Sequence, residues 1–373
     1  MQAPRNAAAA WRHVDVTLLL ATLGTAFVGV LMVYSATRQK QLTAGLDPAY
    51  FLKRQAVFLL LGLVAMAVMS LVDYRNIRDY VPMIYGAALL LLLLVLSPMG
   101  ASRRGTQAWF QIGAFQFQPS EVAKVALILA LAAVCAAARG HLDTMGLLAA
   151  LGVAFAPMAL IYAQPDLGTN MVFVAVVIAV VLVAGARPRQ IAVLTLLGIT
   201  AIALVVELGM MQDYQRDRLT AFLDPQTDTQ RSSYNLRQSQ IAIAAGGVAG
   251  RGLFQGTQTN LSFVPEQHTD FIFTAVGEEL GLLGGVALLG LFGAMTWRIW
   301  RAAVLARDQF GRLVCVGVLA MLVFQIFENV GMTMGITPIT GIPLPFMSYG
   351  GSAMIASFMG VGLVLNVHMR RFT

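Results

Sequence analysis

Apolar residues run along this 373-residue chain in stretches of roughly twenty, separated by short polar segments. A helix of that length rises ~30 Å, the thickness of the hydrocarbon layer of a bilayer. Ten such stretches predict ten membrane-spanning helices, at 14–35, 54–72, 80–98, 119–138, 144–163, 168–186, 189–208, 270–297, 312–334 and 348–368. The eighth is long enough to tilt or to project into the interface. The expected fold is an all-α polytopic membrane protein forming one domain over 1–373. Its only sizeable piece outside the membrane is a loop over about 209–269.

Composition agrees with that pattern. Hydrophobic residues make up 58% of the chain and charged residues 12%, about half the charge a soluble domain carries. The formal net charge of +7 is not gathered into a basic block, so nucleic acid is not an expected partner. The arginines fall singly or in pairs between apolar runs, as in membrane topogenesis. With an even number of spans both termini share a side. The segments on that side hold Arg5, Arg12, Arg75, Arg78, Arg139, Arg187, Arg189, Arg298, Arg301, Arg307, Arg312, Arg370 and Arg371. The opposite short loops hold Arg38, Lys40, Lys53, Arg54, Arg103 and Arg104, so cytoplasmic termini are expected. Arg5 and Arg12 precede an apolar run too long for a signal-peptide core, and the first span is expected to be retained. Cys135 and Cys315 lie inside apolar runs and read as small buried hydrophobes. No internal repeat of the transporter kind is visible.

Four polar clusters sit at the extracytoplasmic ends of these spans. WFQIGAFQFQPSEVAK (109–124) leads into the fourth, where Glu121 and Lys124 are three residues apart on one helical face and able to pair. QPDLGT (164–169) makes a tight turn in which Asp166 can cap the sixth span. FVPEQHTDFIFTAVGEEL (263–280) opens the eighth with Glu266, Asp270, Glu278 and Glu279, and FENVGMTMGITPITGIPLPFMSYGGS (327–352) interrupts the ninth and tenth with prolines and glycines. Carboxylates and irregular backbone at membrane depth are costly and mark function or a cavity. One shared outward-facing cavity is the economical expectation, against four unrelated loop ends.

Helical geometry sorts the acids. With Thr269 capping the eighth span, Asp270 falls in its first turn, and Glu278 lies about 12 Å deeper and about 80° around the helix. Those two can then share a cavity, with Glu278 open between structural pairing and ligand contact, while Glu279 faces another span. Asp270 is suited to act as a general base, or merely as a helix N-terminal charge. Arg216 and Arg218, with Arg103 and Arg104, can grip a diphosphate or pair with Asp213, Asp217 and Asp224. Trp109 can anchor at the interface. His268 reads as a solvated loop histidine. A carboxylate-held divalent cation stays open.

The strings VDYR (72–75), FQPSEVAK (117–124), QPDLGT (164–169), GTQTNLSFVPEQHTDFIFTAVGEELGLLG (256–284) and TGIPLPFMSYGGS (340–352) resemble, in order and over most of the chain, the SEDS family (shape, elongation, division, sporulation). Their wording is similar to the members serving cell elongation. The resemblance implies a ten-span peptidoglycan glycosyltransferase of the bacterial cytoplasmic membrane. It would polymerise lipid II on the extracytoplasmic face, extend a glycan strand, and pair with a class B penicillin-binding protein transpeptidase. The family's essential aspartate falls on Asp270, and its important Trp, Glu and Lys fall on Trp109, Glu121 and Lys124. Asp166, Arg216, Arg218, Gln258, Glu266, His268, Thr269, Glu278, Asn329 and Ser348 are the supporting candidates. No cofactor is required by the strings, although Mg²⁺ or Mn²⁺ could assist. Departures stand at Ala108, at IAAGG, at DTQRSSYN and at Glu328; none touches Asp270. A division or sporulation paralogue, a lipid-precursor flippase and a transpeptidase scaffold are the alternatives.

Overall fold

A computed structural model describes residues 13–103, 106–113, 115–138, 140–207, 218, 222 and 231–372. Each predicted span is a helix: α1 Val16–Thr43, α2 Tyr50–Leu71, α3 Tyr74–Val95, α4 Pro119–Ala136, α5 Thr144–Ala163, α6 Leu167–Val183, α7 Pro188–Glu207, α10 Ile272–Val304, α11 Gln309–Met334 and α12 Gly351–Met369. Eight of them are long and apolar enough to cross a bilayer, and α6 is a shorter apolar helix. The protein is therefore a multi-pass membrane protein. The described part of the expected loop includes the helices α8 Arg231–Gly246 and α9 Thr257–Asn260. The departure from an all-helical chain is a small antiparallel sheet, β1 Ala101–Arg103, β2 Thr106–Ile112 and β3 Phe115–Phe117, in that spatial order. Its residues alternate poorly with the helical period and are too few to span a membrane.

Burial ranks the helices. In α4 and α12, 78% and 83% of the most apolar window is buried, against 22% in α3, so α4 and α12 form the centre and α3 the lipid-facing rim. Small residues allow the close approach. A methyl on Gly62 would meet the Phe358 ring at 2.5 Å, and one on Gly317 would meet Ile128 at 2.7 Å.

One end of the bundle is tied by charge. Asp15 caps α1 through the Leu18 amide and holds Arg298 near the end of α10 at 2.7 Å. Asn366 and Arg370, at the end of α12, donate to the carbonyls of Met69, Ser70, Leu71 and Val72 at the α2–α3 turn. Asp308, the cap of α11, accepts from the Tyr74 hydroxyl. The start of α1 and the end of α12 thus share this end. The polar clusters lie at the other.

The eighth span differs from the expectation of one unbroken helix. Gly281 (φ 64°, ψ −162°) interrupts α10. The backbone groups this break frees are taken up by the glycine-rich segment after α8. Arg251 and Gly252 amides donate to Glu278 and Glu279 carbonyls at 2.9 and 3.0 Å, while Leu282 and Leu283 amides donate to Gly247 and Val248 at 3.0 and 3.1 Å. Unpaired amides and carbonyls at membrane depth cost several kcal/mol each, so a break persists there only when a second segment satisfies it. Only glycine fits the contact, because a methyl on Gly250 would sit 2.2 Å from the Glu279 carbonyl oxygen.

Candidate active site

The site is built from two irregular loops. The first, 264–271, precedes α10. Its turn closes on the Glu266 carbonyl, which accepts from the amides of Thr269 and Asp270 and from the Thr269 hydroxyl at 3.0 Å. Thr269 is therefore not a helix cap. The helix starts at Ile272 without any side-chain cap, and Asp270 precedes it rather than occupying its first turn. The second loop, 336–350, begins where Gly335 ends α11 in a left-handed conformation. Pro338, Pro343 and Pro345 then lack the amides a helix needs.

The two loops are locked together. Asn329 donates from one amide nitrogen to the carbonyls of Asp270 and Ile342, both at 2.8 Å. Ser348 donates to the Thr269 carbonyl at 2.5 Å and accepts from the Leu344 amide at 2.8 Å. The Tyr349 amide donates to His268 at 2.8 Å. Three consecutive residues ending at Asp270 are thus held by their carbonyls, which fixes where its carboxylate points. A methyl on Gly341 would lie 3.5 Å from Asp270 Oδ2 and 3.9 Å from Arg218 Nη2. The carboxylate and the guanidinium flank the same glycine, and Arg218 is anchored there by a 2.9 Å bond to the Thr340 carbonyl.

The other two clusters join this pair. Gln118 reaches Asp166 at 3.4 Å, and its amide donates to Ser352 at 2.9 Å. Asp166 caps α6, accepting from the Thr169 amide at 3.0 Å and hydroxyl at 2.8 Å. Two residues after Asp166, Gly168 packs so closely that a methyl there would meet Thr340 O at 3.1 Å. Glu121 and Lys124 pair as their spacing predicts, with Lys124 Nζ 2.9 and 2.8 Å from the two oxygens and both side chains almost wholly buried. Four segments distant in sequence therefore meet at one end of the bundle.

Other candidates take supporting places. Glu278 is fully buried and does not share a space with Asp270. Its carboxylate accepts from the amides of Gln258 and Thr259 at 2.7 and 2.9 Å, and from the hydroxyls of Thr259 and Thr257 at 2.7 and 3.3 Å. It caps α9, some twenty residues earlier in the chain. Gln258 contributes its backbone to that cap. Glu279 faces away, as expected, toward Ser35 Oγ (2.5 Å) and the Phe254 amide (3.1 Å). His268 is not a solvated histidine. Its ring packs against Phe51 at 5.0 Å and Tyr349 at 5.6 Å, because the Tyr349–His268 backbone bond brings the rings together. Burial pushes the Tyr349 phenol up. Trp109 is half-buried on the central strand, paired with Ala101. Arg104 and Arg216 lie outside the described residues.

Two residues escaped sequence reading. Gln267 donates to Thr259 Oγ1 at 2.9 Å and Thr274 Oγ1 at 3.0 Å, linking the Glu278-capped turn to the loop of Asp270. Gln118 bridges two clusters. Both are neutral amides beside acids, and nothing in residue type set them apart. Among the described residues no group of three or more His, Cys, Asp or Glu could hold a metal ion.

Fold and site together define a polytopic membrane protein with an aspartate–arginine centre at the bundle end opposite the termini. A family model describing cell cycle proteins of the FtsW, RodA and SpoVE type matches residues 16–372, so the chain belongs to that family. It is 38% identical over 365 residues to a probable peptidoglycan glycosyltransferase FtsW of Geobacter metallireducens, covering 95% of each chain. It is equally 38% identical to the peptidoglycan glycosyltransferase MrdB of Escherichia coli K12, covering 96% of this chain and 94% of that one. A solved chain from a peptidoglycan synthase complex, described for the coordination of polymerization and crosslinking, superposes with a TM-score of 0.82 at 33% identity, covering 96% and 99% of the two chains.

Proposed function

We propose that this protein is a peptidoglycan glycosyltransferase that polymerises lipid II at the extracytoplasmic face of the bacterial cytoplasmic membrane. The observation that carries this reading is the placement of Asp270 and Arg218 against Gly341, where four polar clusters converge. The donor sugar leaves with its lipid diphosphate and the acceptor's 4-hydroxyl attacks C1. An α-linked donor giving a β-1,4 product requires inversion, hence one displacement and one base. Asp270 takes the proton of the hydroxyl as the C–O bond forms. Arg218 faces the negative charge that develops on the departing diphosphate. Lys124 is a weaker candidate for that role, since Glu121 already holds it within a buried pair.

The termini are read as cytoplasmic from the arginine distribution. The elongation role rests on the wording of the GTQ and TGIPLPF strings, with a division or sporulation role as the alternative. A class B penicillin-binding protein is the proposed partner, consistent with the likeness to a chain of a synthase complex. Alternating access is disfavoured: at the inner end Asp15, Arg298, Asp308, Asn366 and Arg370 are engaged in pinning helix ends.

The test is a gel assay of glycan formation from purified lipid II, with and without the transpeptidase and a divalent cation. Asp270→Asn should lower polymerisation about 10²-fold or more, as loss of a general base does, while the protein stays monodisperse. Full activity in that variant would reject the assignment.

A further inference from the structure

The segment between α8 and α10 has an apolar surface that the described fold does not cover. Val248 is 64% exposed and Leu261 65%, with Leu253 and Phe263 also exposed. In a water-facing loop such side chains are a liability; in contact with lipid they are stabilising.

The backbone fixes the depth of this surface. The Val248 carbonyl accepts from the Leu283 amide, and Leu282 and Leu283 are themselves 61% and 63% exposed on α10. The same helix displays Trp297 and Trp300 toward its far end, both exposed, where aromatic residues mark the membrane interface. From Trp297 back to Leu282 the helix rises about 22 Å at ~1.5 Å per residue, short of the ~30 Å of hydrocarbon. Leu282 and Leu283 thus belong to the lipid-facing surface of the bundle, within the leaflet opposite the tryptophans. Val248, bonded to them, lies at the same level.

Charge points the same way. Residues 231–265 contain three arginines and no Asp or Glu. Arg251 is exposed beside Val248, its Nε bonded to the Ala245 carbonyl at 2.8 Å. A cation beside exposed leucine, valine and phenylalanine is the composition of a headgroup boundary, where apolar side chains enter the acyl layer and arginine meets phosphate.

We propose that residues 247–263 form an interfacial anchor immersed in the membrane leaflet at the active-site end, with Val248, Leu253, Leu261 and Phe263 against lipid. The anchor would set the depth of the reaction centre. Its backbone is bonded across the break in α10, and α9 within it is held by Glu278 and, through Thr259, by Gln267 of the Asp270 loop. The inference stands on the membrane fold and does not depend on the glycosyltransferase reading.

Spin labels test it in the full chain. Val248→Cys and Leu261→Cys are labelled separately with a nitroxide, in nanodiscs of phosphatidylethanolamine and phosphatidylglycerol. Cys135 and Cys315 are buried, so labelling is confined to the new thiol. Collision with oxygen, which partitions into lipid, is compared with collision with a water-soluble nickel chelate. Leu289→Cys on the exposed face of α10 gives the lipid reference, and Asp47→Cys in the exposed α1–α2 loop gives the water reference. Both test labels should group with Leu289, oxygen exceeding nickel several-fold. Grouping with Asp47 would overturn the proposal, and so would shielding from both reagents, which would mean protein covers the segment. Unchanged readings at Leu289 and a monodisperse sample guard against misfolding, and agreement between two independent positions guards against a local effect of one label.

Discussion

Glu278→Ala tests the support beneath the active-site loop. In the wild type this carboxylate receives four donors from Thr257, Gln258 and Thr259. The two hydroxyls can turn elsewhere when it is removed, but the amides of Gln258 and Thr259 cannot. Thr259 is 2% exposed, so water does not replace the lost acceptor. A stranded buried donor such as the Thr259 amide costs about 1–3 kcal/mol, and the half-buried Gln258 amide adds less. Thr259 then loses its register, and Gln267, which donates to it, no longer braces the loop of Asp270. The expected result is a lower thermal midpoint in detergent together with a lower kcat for lipid II polymerisation. Glu279→Ala is the control. It strands the Phe254 and Gly256 amides and frees Ser35 but leaves the Glu278–Thr259–Gln267 chain intact, so stability should fall while the rate per folded molecule stays near wild type. Thr259→Val cuts the relay while sparing the carboxylate, and serves where Glu278→Ala does not fold. Wild-type midpoint and rate in both Glu278→Ala and Thr259→Val would refute the reasoning.

Lys124→Met should cost about 3–5 kcal/mol by leaving Glu121 buried without its counter-charge, and adding Glu121→Leu should restore most of the thermal midpoint. Midpoint restored without activity would assign the pair to function as well as to packing. Gly281→Ala places a methyl 2.3 Å from the Gly250 amide nitrogen at a φ of +64°, so it should open the four bonds across the break in α10 and lower the midpoint more than Gly290→Ala, where a methyl meets nothing within 4 Å. Arg218→Ala should lower kcat/KM for lipid II about tenfold or more, as losing a cation that faces charge developing in the transition state does, with little change in midpoint; an unchanged kcat/KM would remove Arg218 from the diphosphate site.

Much of this protein could be read from residue order. The ten long helices follow from the length of the apolar runs, because a bilayer admits only segments that satisfy their own backbone polar groups. The Glu121–Lys124 pair and the Asp166 cap follow from spacing within a single helix turn. The strings around Asp270 were enough to pick out the bundle end where the polar clusters meet. What spacing could not show was the break at Gly281, since a helix is read as continuous unless proline or charge interrupts it. The segment that satisfies the break lies some thirty residues earlier in the chain. Glu278 was expected beside Asp270 by projection along an ideal helix from Thr269, whereas the helix starts only at Ile272 and Glu278 caps α9. His268 likewise owes its surroundings to partners distant in sequence, Phe51 and Tyr349. Local hydrogen bonding and hydrophobic length are properties of a few neighbouring residues and are legible in one dimension. The aim of a carboxylate, and the segment that heals a broken helix, depend on which distant backbone arrives beside it, and only the packed structure decides that.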